Sequence, residues 1–421
     1  MKILYRTITF IFYPLIIIFI YLRRFNKKED KKRYKEKLFS SCFNIKRNYD
    51  FKLIWFHAAS IGELKSILPV INELDKSNNY EFLVTTVTLS SANLAENELR
   101  RFKRATHRFF PIDVKFLMEK FLDLWKPDAI FLVDSEIWPN LIFLSSQKKI
   151  PISIINARIT FKSYKRWMMV PNLAKLIFNQ FNLCLASNKE TKKYLENLNA
   201  KNIFYFGNIK FCETYDNGRY KNENSSFLSS NIIWLAVSTH EGEDLLCLKT
   251  HKKLKDKIKD IVTIIAPRHI DRVKQIKKIS EQLNLNSQVL NKGDLILKNK
   301  EIIIINSFGG LNNFFKYSKS VFIGKSMLKK LKDVGGQNPI EAAKMGCKVY
   351  HGPYVYNFNE IYELLAENKV SNKITSSEEL YEFLSTDLKS EKKKESSFQN
   401  ILKNIGEKIL KDTVIKINSV I

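Results

Sequence analysis

From Lys52 onward the chain alternates short apolar runs, rich in β-branched residues, with longer amphipathic ones, and it does so twice. Unbroken apolar runs suit strands buried on both faces of a parallel sheet, where each crossover needs a helix. In the first pass LIWFHAA, EFLVTTVT, AIFLVDS, ISIINA, NLCLAS and IFYFGN read as strands. ELKSILPVINELDK, VKFLMEKFLDLWK and KETKKYLENL read as the helices between them. The second pass offers IIWLAVS, IVTIIAP, EIIIINS, SVFIGK and KVYHG as strands, separated by amphipathic runs such as DLLCLKTHKKLKDK. Residues 213–231 are polar, lack apolar periodicity and read as a linker. This pattern predicts an α/β fold: two Rossmann-like, doubly wound domains facing each other across a cleft. A length of 421 residues suits two such cores.

The segment before this body is of another kind. Ile3 to Leu22 is almost continuously apolar, interrupted by Arg6 and Pro14. As a helix it would cover roughly 30 Å, about one hydrocarbon core. No small-residue cleavage site follows, so the segment reads as an uncleaved anchor over residues 1–24. Arg23, Arg24, Lys27, Lys28, Lys31, Lys32 and Arg33 come next, and the positive-inside rule then places the body in the cytoplasm. A helix lying in the membrane interface is the alternative to one that spans. Behind the anchor, the expected boundaries are a first domain over 25–212, a second over 232–395 and a closing helix over 396–421.

The net charge of +27 points to anionic partners, either a phospholipid surface, phosphorylated substrates or nucleic acid. A Lys-rich solvated surface would give the same number. An apolar fraction of 45% excludes wholesale disorder. The five cysteines form no C-x-x-C pair and histidines are scattered, so neither a disulfide framework nor a metal site is expected.

Several stretches can carry chemistry. In HAASIGELK, Ser60 and Glu63 have the S-x-x-E spacing of a capping box. A carboxylate at a strand-to-helix turn can also be a catalytic base, so Glu63 is either splint or base. IWLAVSTHEGE opens the second half much as IWFHAASIGE opens the first, and Ser238 and Glu241 repeat the spacing. In GGQNPIEAA, the glycines up to Gly336 let backbone approach a ligand, Pro339 suits a first helical turn, and Glu341 would meet ribose hydroxyls. Pro267-Arg268 closes one strand, Lys210 another, and Asp134-Ser135-Glu136 a third. Strand ends in open α/β sheets are where ligands bind.

Taken in order, HAASIGE, DSEIWPN, NARIT, GNIKF, STHEGE, APRHIDR and GGQNPIEAAKMG strongly resemble the 3-deoxy-D-manno-octulosonic acid (Kdo) transferases of lipopolysaccharide synthesis. The resemblance runs over nearly the whole chain. It implies a GT-B glycosyltransferase fold. It further implies transfer of Kdo from CMP-Kdo to the lipid A precursor lipid IVA, with inversion and without metal or other cofactor. The site would lie at the cytoplasmic side of the inner membrane, with no nucleic acid and no obligate protein partner. Glu63 matches the family's base, Asp134 stands where Glu is usual, and Lys210 matches a lysine that stabilises the transition state. Donor contacts are implied for Pro267, Arg268, Phe308, Gly309, Gly310, Gly336, Asn338, Pro339, Ile340 and Glu341. Positioning roles are implied for Ser60, Arg158, Ser238 and His240. The chain departs from the pattern where G-E-L reads Gly309-Gly310-Leu311, at Gln337 where His is common, and in a longer loop over 327–334. Rival readings are a membrane-associated GT-B enzyme using a UDP-sugar and a membrane-tethered RNA-binding protein, for which the aromatic and basic interleaving is missing.

Overall fold

The computed structural model describes residues 2–213, 223–307, 310–389 and 397–421. The chain divides into two units, Met1–Thr214 with Ile405–Ile421, and Tyr215–Asn404.

The first unit holds β1 (Lys52–His57), β2 (Tyr80–Thr86), β3 (Ala105–Phe109), β4 (Ala129–Val133), β5 (Ile152–Ala157), β6 (Leu183–Ala186) and β7 (Ile203–Tyr205). They pair in the order β3-β2-β1-β4-β5-β6-β7, all parallel. Its helices are α1 (Lys2–Phe25), α2 (Ile61–Asp75), α3 (Leu89–Leu99), α4 (Lys115–Trp125), α5 (Pro139–Gln147), α6 (Phe161–Met168), α7 (Pro171–Phe178) and α8 (Lys189–Asn197). β1, β4 and β5 are buried almost throughout, as strands covered by helices on both faces must be. Between β1 and β4 the strand order reverses. The loops leaving these two strands diverge to opposite faces, and the gap at their carboxyl ends is where such sheets hold ligands.

The second unit repeats the plan. β8 (Ile232–Thr239), β9 (Ile261–Pro267), β10 (Ser287–Leu290), β11 (Ile302–Ile305), β12 (Ser318–Ile323), β13 (Lys348–His351) and β14 (Ser371–Lys373) run β10-β11-β9-β8-β12-β13-β14, again all parallel. Here the reversal falls between β8 and β12. The accompanying helices are α9 (Ser225–Ser230), α10 (Glu243–Lys255), α11 (Val273–Gln282), α12 (Asn312–Phe315), α13 (Ile340–Lys344), α14 (Asn359–Glu367) and α15 (Ser377–Asp387). α9 lies within the stretch read as a linker, whose residues 214–222 are outside the described residues. The closing helix α16 (Ser397–Asn418) starts in the second unit and from Ile405 belongs to the first. There Gly406 meets the chain at Phe211, whose carbonyl lies 2.2 Å from where a Cβ would stand.

The sequence sets the anchor over residues 1–24 apart from the domains behind it. Instead, one stripe of helix α1 is packed on the first unit. The Lys2 ammonium sits 5.0 Å over the Phe143 ring, and the Tyr5 hydroxyl donates to Asp113 Oδ2 at 2.9 Å. Asn140 donates to the Thr9 hydroxyl at 3.3 Å, and the Tyr13 hydroxyl donates to the Leu38 carbonyl. Ile16, Ile17 and Ile20 then pack on Tyr34 and Leu38. Asp113 is the fulcrum. Fully buried, its carboxylate also accepts the N–H groups of Asn140 at 3.0 Å and Leu141 at 2.9 Å, at the positive end of α5. Burial pushes its carboxyl up to about 6 despite those bonds. Asp113→Ala leaves two buried N–H groups without an acceptor and is expected to destabilise the first unit by roughly 3 kcal/mol in chemical denaturation. Tyr5→Phe, which loses one bond, is expected to cost about 1 kcal/mol.

Candidate active site

β1 ends at His57 and the chain turns through Ala58-Ala59 into α2, whose N-cap is Ser60. Glu63 stands in the first turn of α2, beside the reversal point. The cap is real, because the Glu63 N–H approaches the Ser60 hydroxyl at 3.4 Å. The Glu63 carboxylate does not close an ordinary capping box. It accepts from the Ala59 N–H at 2.8 Å and from the Ser60 hydroxyl at 2.7 Å. Burial pushes its pKa up, and the nearby carboxylates of Asp134 and Glu136 push the same way, against the two hydrogen bonds. A half-buried carboxylate with raised basicity and few fixed donors can take a proton.

Across the reversal, β4 ends and Asp134 adopts φ +62°. Its backbone is held on β5, with its N–H donating to the Ile155 carbonyl and its carbonyl accepting from Arg158 N–H, at 3.1 and 3.0 Å. Ser135 donates to the Arg158 carbonyl at 2.9 Å. Lys210 sits in a 3-10 turn, Ile209–Cys212, after β7. Asn156 accepts from Ile209 N–H and Asn208 caps the turn through Lys210 N–H, both at 3.0 Å. This brings the Lys210 ammonium to 3.7 Å from Asp134 Oδ2. Glu136 accepts from the Trp138 indole at 2.9 Å and faces His57 Nε2 at 3.2 Å, whose ring stacks on Phe110. Glu63, Asp134, Lys210, Ser60 and the Arg158 backbone therefore gather at the carboxyl ends of the strands of the first sheet. His57, Asn156 and Asn208 are supports that the sequence did not single out.

The second unit corrects one expectation. Ser238 caps no helix: it takes φ +55°, Glu241 is exposed, and α10 begins after Gly242. The counterpart of Glu63 is Glu243, which the matching I-G-E and E-G-E triplets would have revealed once one extra residue was allowed for. Its buried carboxylate accepts four backbone N–H groups. Oε2 takes His240 at 2.8 Å and Lys325 at 2.7 Å; Oε1 takes Ser326 at 2.8 Å and Met327 at 2.9 Å. The loop after β12 is thereby bound to the turn after β8. A Cβ at Gly324 would stand 2.6 Å from the Ser238 carbonyl.

That clamp extends to the glycine stretch. Gly336, at φ +88°, donates to the Lys325 carbonyl at 2.7 Å, and a Cβ on Gly335 would stand 2.2 Å from the Tyr354 carbonyl. Tyr362 holds the Gln337 carbonyl at 3.0 Å, and the Asn338 side chain accepts Ile340 N–H at 3.1 Å. Pro339 precedes α13 as its cap instead of opening it, and α13 is only five residues long. Pro339 and Ile340 are buried, Glu341 half-buried. Pro267 ends β9, and Arg268 is tied by its N–H to the Thr239 carbonyl at 3.0 Å with its side chain exposed. Half-buried His240 contacts His269 edge-on, and burial lowers its pKa. Gly310 is exposed at φ +75°, while Phe308 and Gly309 lie outside the described residues.

Comparison with known proteins follows the same lines. The family profile described as 3-deoxy-D-manno-octulosonic-acid transferase (kdotransferase) matches residues 26–213. The 3-deoxy-D-manno-octulosonic acid transferase of Rickettsia bellii is 30% identical over 90% of this chain and 89% of its own. The protein of that name from Haemophilus influenzae is 28% identical over 75% of this chain and 74% of its own. Among solved structures, UDP-GlcNAc 2-epimerase from Neisseria meningitidis superposes with a TM-score of 0.58, at 15% identity over 87% of this chain and 100% of that one. At that identity the likeness speaks for the fold alone. It is the GT-B plan of two doubly wound units.

Glu243→Gln puts an amide NH2 against two N–H donors. It is expected to lower the stability of the second unit by roughly 3 kcal/mol in urea unfolding, more than any single exposed Lys→Ala change.

Proposed function

The chain belongs to the 3-deoxy-D-manno-octulosonic acid transferase family, and on that premise we propose that it moves Kdo from CMP-Kdo to lipid IVA with inversion, Glu63 acting as general base. The observation that carries the proposal is the Glu63 carboxylate, half-buried at the reversal point of the first sheet, with raised basicity and, among the described residues, two hydrogen-bond donors. A sugar hydroxyl is a poor nucleophile until its proton is removed. In the proposed step the acceptor oxygen bonds to the anomeric carbon of Kdo and its proton passes to Glu63. The bond from that carbon to the phosphate oxygen breaks, and the electron pair leaves with CMP. CMP is a good leaving group, so no acid is needed to protonate it. Lys210, held near Asp134, offers fixed positive charge for the Kdo carboxylate and the developing transition state.

For the donor we assign Arg268, Gly336 and the segment Asn338–Glu341 of the second unit. Arg268, whose side chain is exposed, suits a phosphate, and the buried Gly335-Gly336 pair packs closely enough to fix the segment that follows it. The residues would work at the cytoplasmic face of the inner membrane, where a bisphosphorylated lipid acceptor meets a basic protein.

Glu63→Gln tests the assignment. An amide cannot accept the proton, so turnover is expected to fall by about two to four orders of magnitude while CMP binding is kept. Ionised Glu63 is a destabilised group, because its pKa is raised on folding. Its favourable contribution is fully present below the unfolded pKa and is lost as pH rises through the folded pKa, so Glu63→Gln should melt no lower than wild type near neutrality. Ser60→Ala, which removes the cap, is expected to cost about 1 kcal/mol. Near-normal turnover by folded Glu63→Gln would return this carboxylate to a capping role.

The pH profile is an independent check. Because protonated Glu63 is inactive, kcat/KM should fall on the acid side through a pKa above the ordinary carboxylate range, and that limb should be missing from the residual rate of Glu63→Gln.

A further inference from the structure

Helix α1 is long and apolar enough to cross a membrane, with a mean hydropathy of 2.1. Length and composition do not decide whether it does so. Its contacts do. A helix of 24 residues is about 36 Å long, and its attachments to the first unit run from one end to the other. Lys2 lies over Phe143, Tyr5 reaches Asp113, Thr9 meets Asn140, Tyr13 meets Leu38, and Arg23 donates to Glu29 at 2.7 Å. From Lys2 to Tyr13 these residues recur every three or four positions, and Ile16 and Ile20 carry the same stripe on to Arg23.

A helix bound at both ends and in the middle to a water-soluble α/β unit cannot also cross the hydrocarbon core. Crossing would draw Asp113, Asn140 and Gln147 into lipid, or strip the helix from them. Stripping it would also uncover α5, whose residues Pro139–Ser145 are all buried. The opposite stripe tells the other half. Ile8, Ile11, Leu15, Ile18 and Leu22 are each 47–63% exposed and lie along one side of the helix. Cations follow at its end, at Arg23, Arg24, Lys27, Lys28, Lys31 and Lys32.

We infer that α1 lies flat in the interface of an anionic phospholipid bilayer, with one face fixed to the first unit and the other sunk among the acyl chains. A one-sided apolar stripe flanked by lysine and arginine is the pattern of an interfacial helix. The pair α6–α7 gives a second foothold. α7 packs on α5 as α1 does, and Met169 on the turn between α6 and α7 is 80% exposed, with Met168, Lys162, Lys165 and Arg166 beside it. α6 begins three residues after Arg158, at the carboxyl end of β5. This foothold thus adjoins the strand ends where Glu63 lies. Its bearing on a lipid acceptor rests on the transferase reading, but the placement of α1 does not.

The two placements differ in where the helix ends lie. Full-length Lys2→Cys and Asn26→Cys variants, each with Cys42→Ser, are bound to preformed vesicles of phosphatidylethanolamine with a minority of phosphatidylglycerol. They are then treated with a membrane-impermeant maleimide, with and without detergent. An interfacial helix keeps both ends on the outer side, so both variants should label equally well before detergent is added. Protection of Lys2→Cys until detergent is added, with Asn26→Cys labelled throughout, would mean that the helix spans and would overturn the inference. In a second arm, Ile8→Asp with Leu15→Asp should reduce flotation with these vesicles by roughly tenfold without lowering the melting temperature. Unchanged flotation would show that this stripe is not what meets the lipid, and would overturn the inference as well. Neither arm measures sugar transfer, so failure here is distinct from failure of the transferase reading.

Discussion

Where the strand order of a doubly wound sheet reverses, two loops part and leave a helix N-terminus facing an open gap. Unpaired N–H groups and the positive end of the helix make that gap a place for an anion. This chain meets the constraint twice and answers it both times with its own glutamate. In the second unit the answer is saturated: Glu243 takes four backbone N–H groups and locks the loop after β12. In the first unit Glu63 takes the Ala59 N–H and the Ser60 hydroxyl, with Asp134 and Glu136 near enough to raise its pKa. The same residue in the same turn is a fastener in one unit and a basic carboxylate in the other. What differs is the number of donors brought to it.

Much of this architecture was legible because parallel strands covered on both faces must be apolar along their length. LIWFH, AIFLV and IIWLAVST could be read directly. The strands that escaped notice, β3, β10 and β14, are all at sheet edges, where ATHRF, SQVL and SNK carry polar residues and the apolar run breaks down. These three are partly solvated and polar, whereas β7, also at an edge, reads IFY and stood out by its apolar run.

The site was legible as motifs and not as geometry. Asp134 and Lys210 were recognised at strand ends, but only the fold brings the carboxyl end of β4 and the turn after β7 together. The Ser238–Glu241 spacing misled because the glutamate that matches Glu63 follows Gly242, two residues further on at position 243. The docking of α1 left no local signal at all. Tyr5, Thr9 and Tyr13 are unremarkable in an apolar helix until Asp113, Asn140 and Leu38 are seen beneath them.

The central claim is that the glutamate left short of donors activates an acceptor hydroxyl against CMP-Kdo. The most direct measurement is the mass of the lipid product after the full-length protein is incubated with CMP-Kdo and lipid IVA in detergent. The account predicts that lipid IVA gains Kdo and that one CMP is released for each sugar gained. An acceptor of unchanged mass while CMP-Kdo is hydrolysed, or sugar transfer from a UDP-sugar in its place, would contradict it.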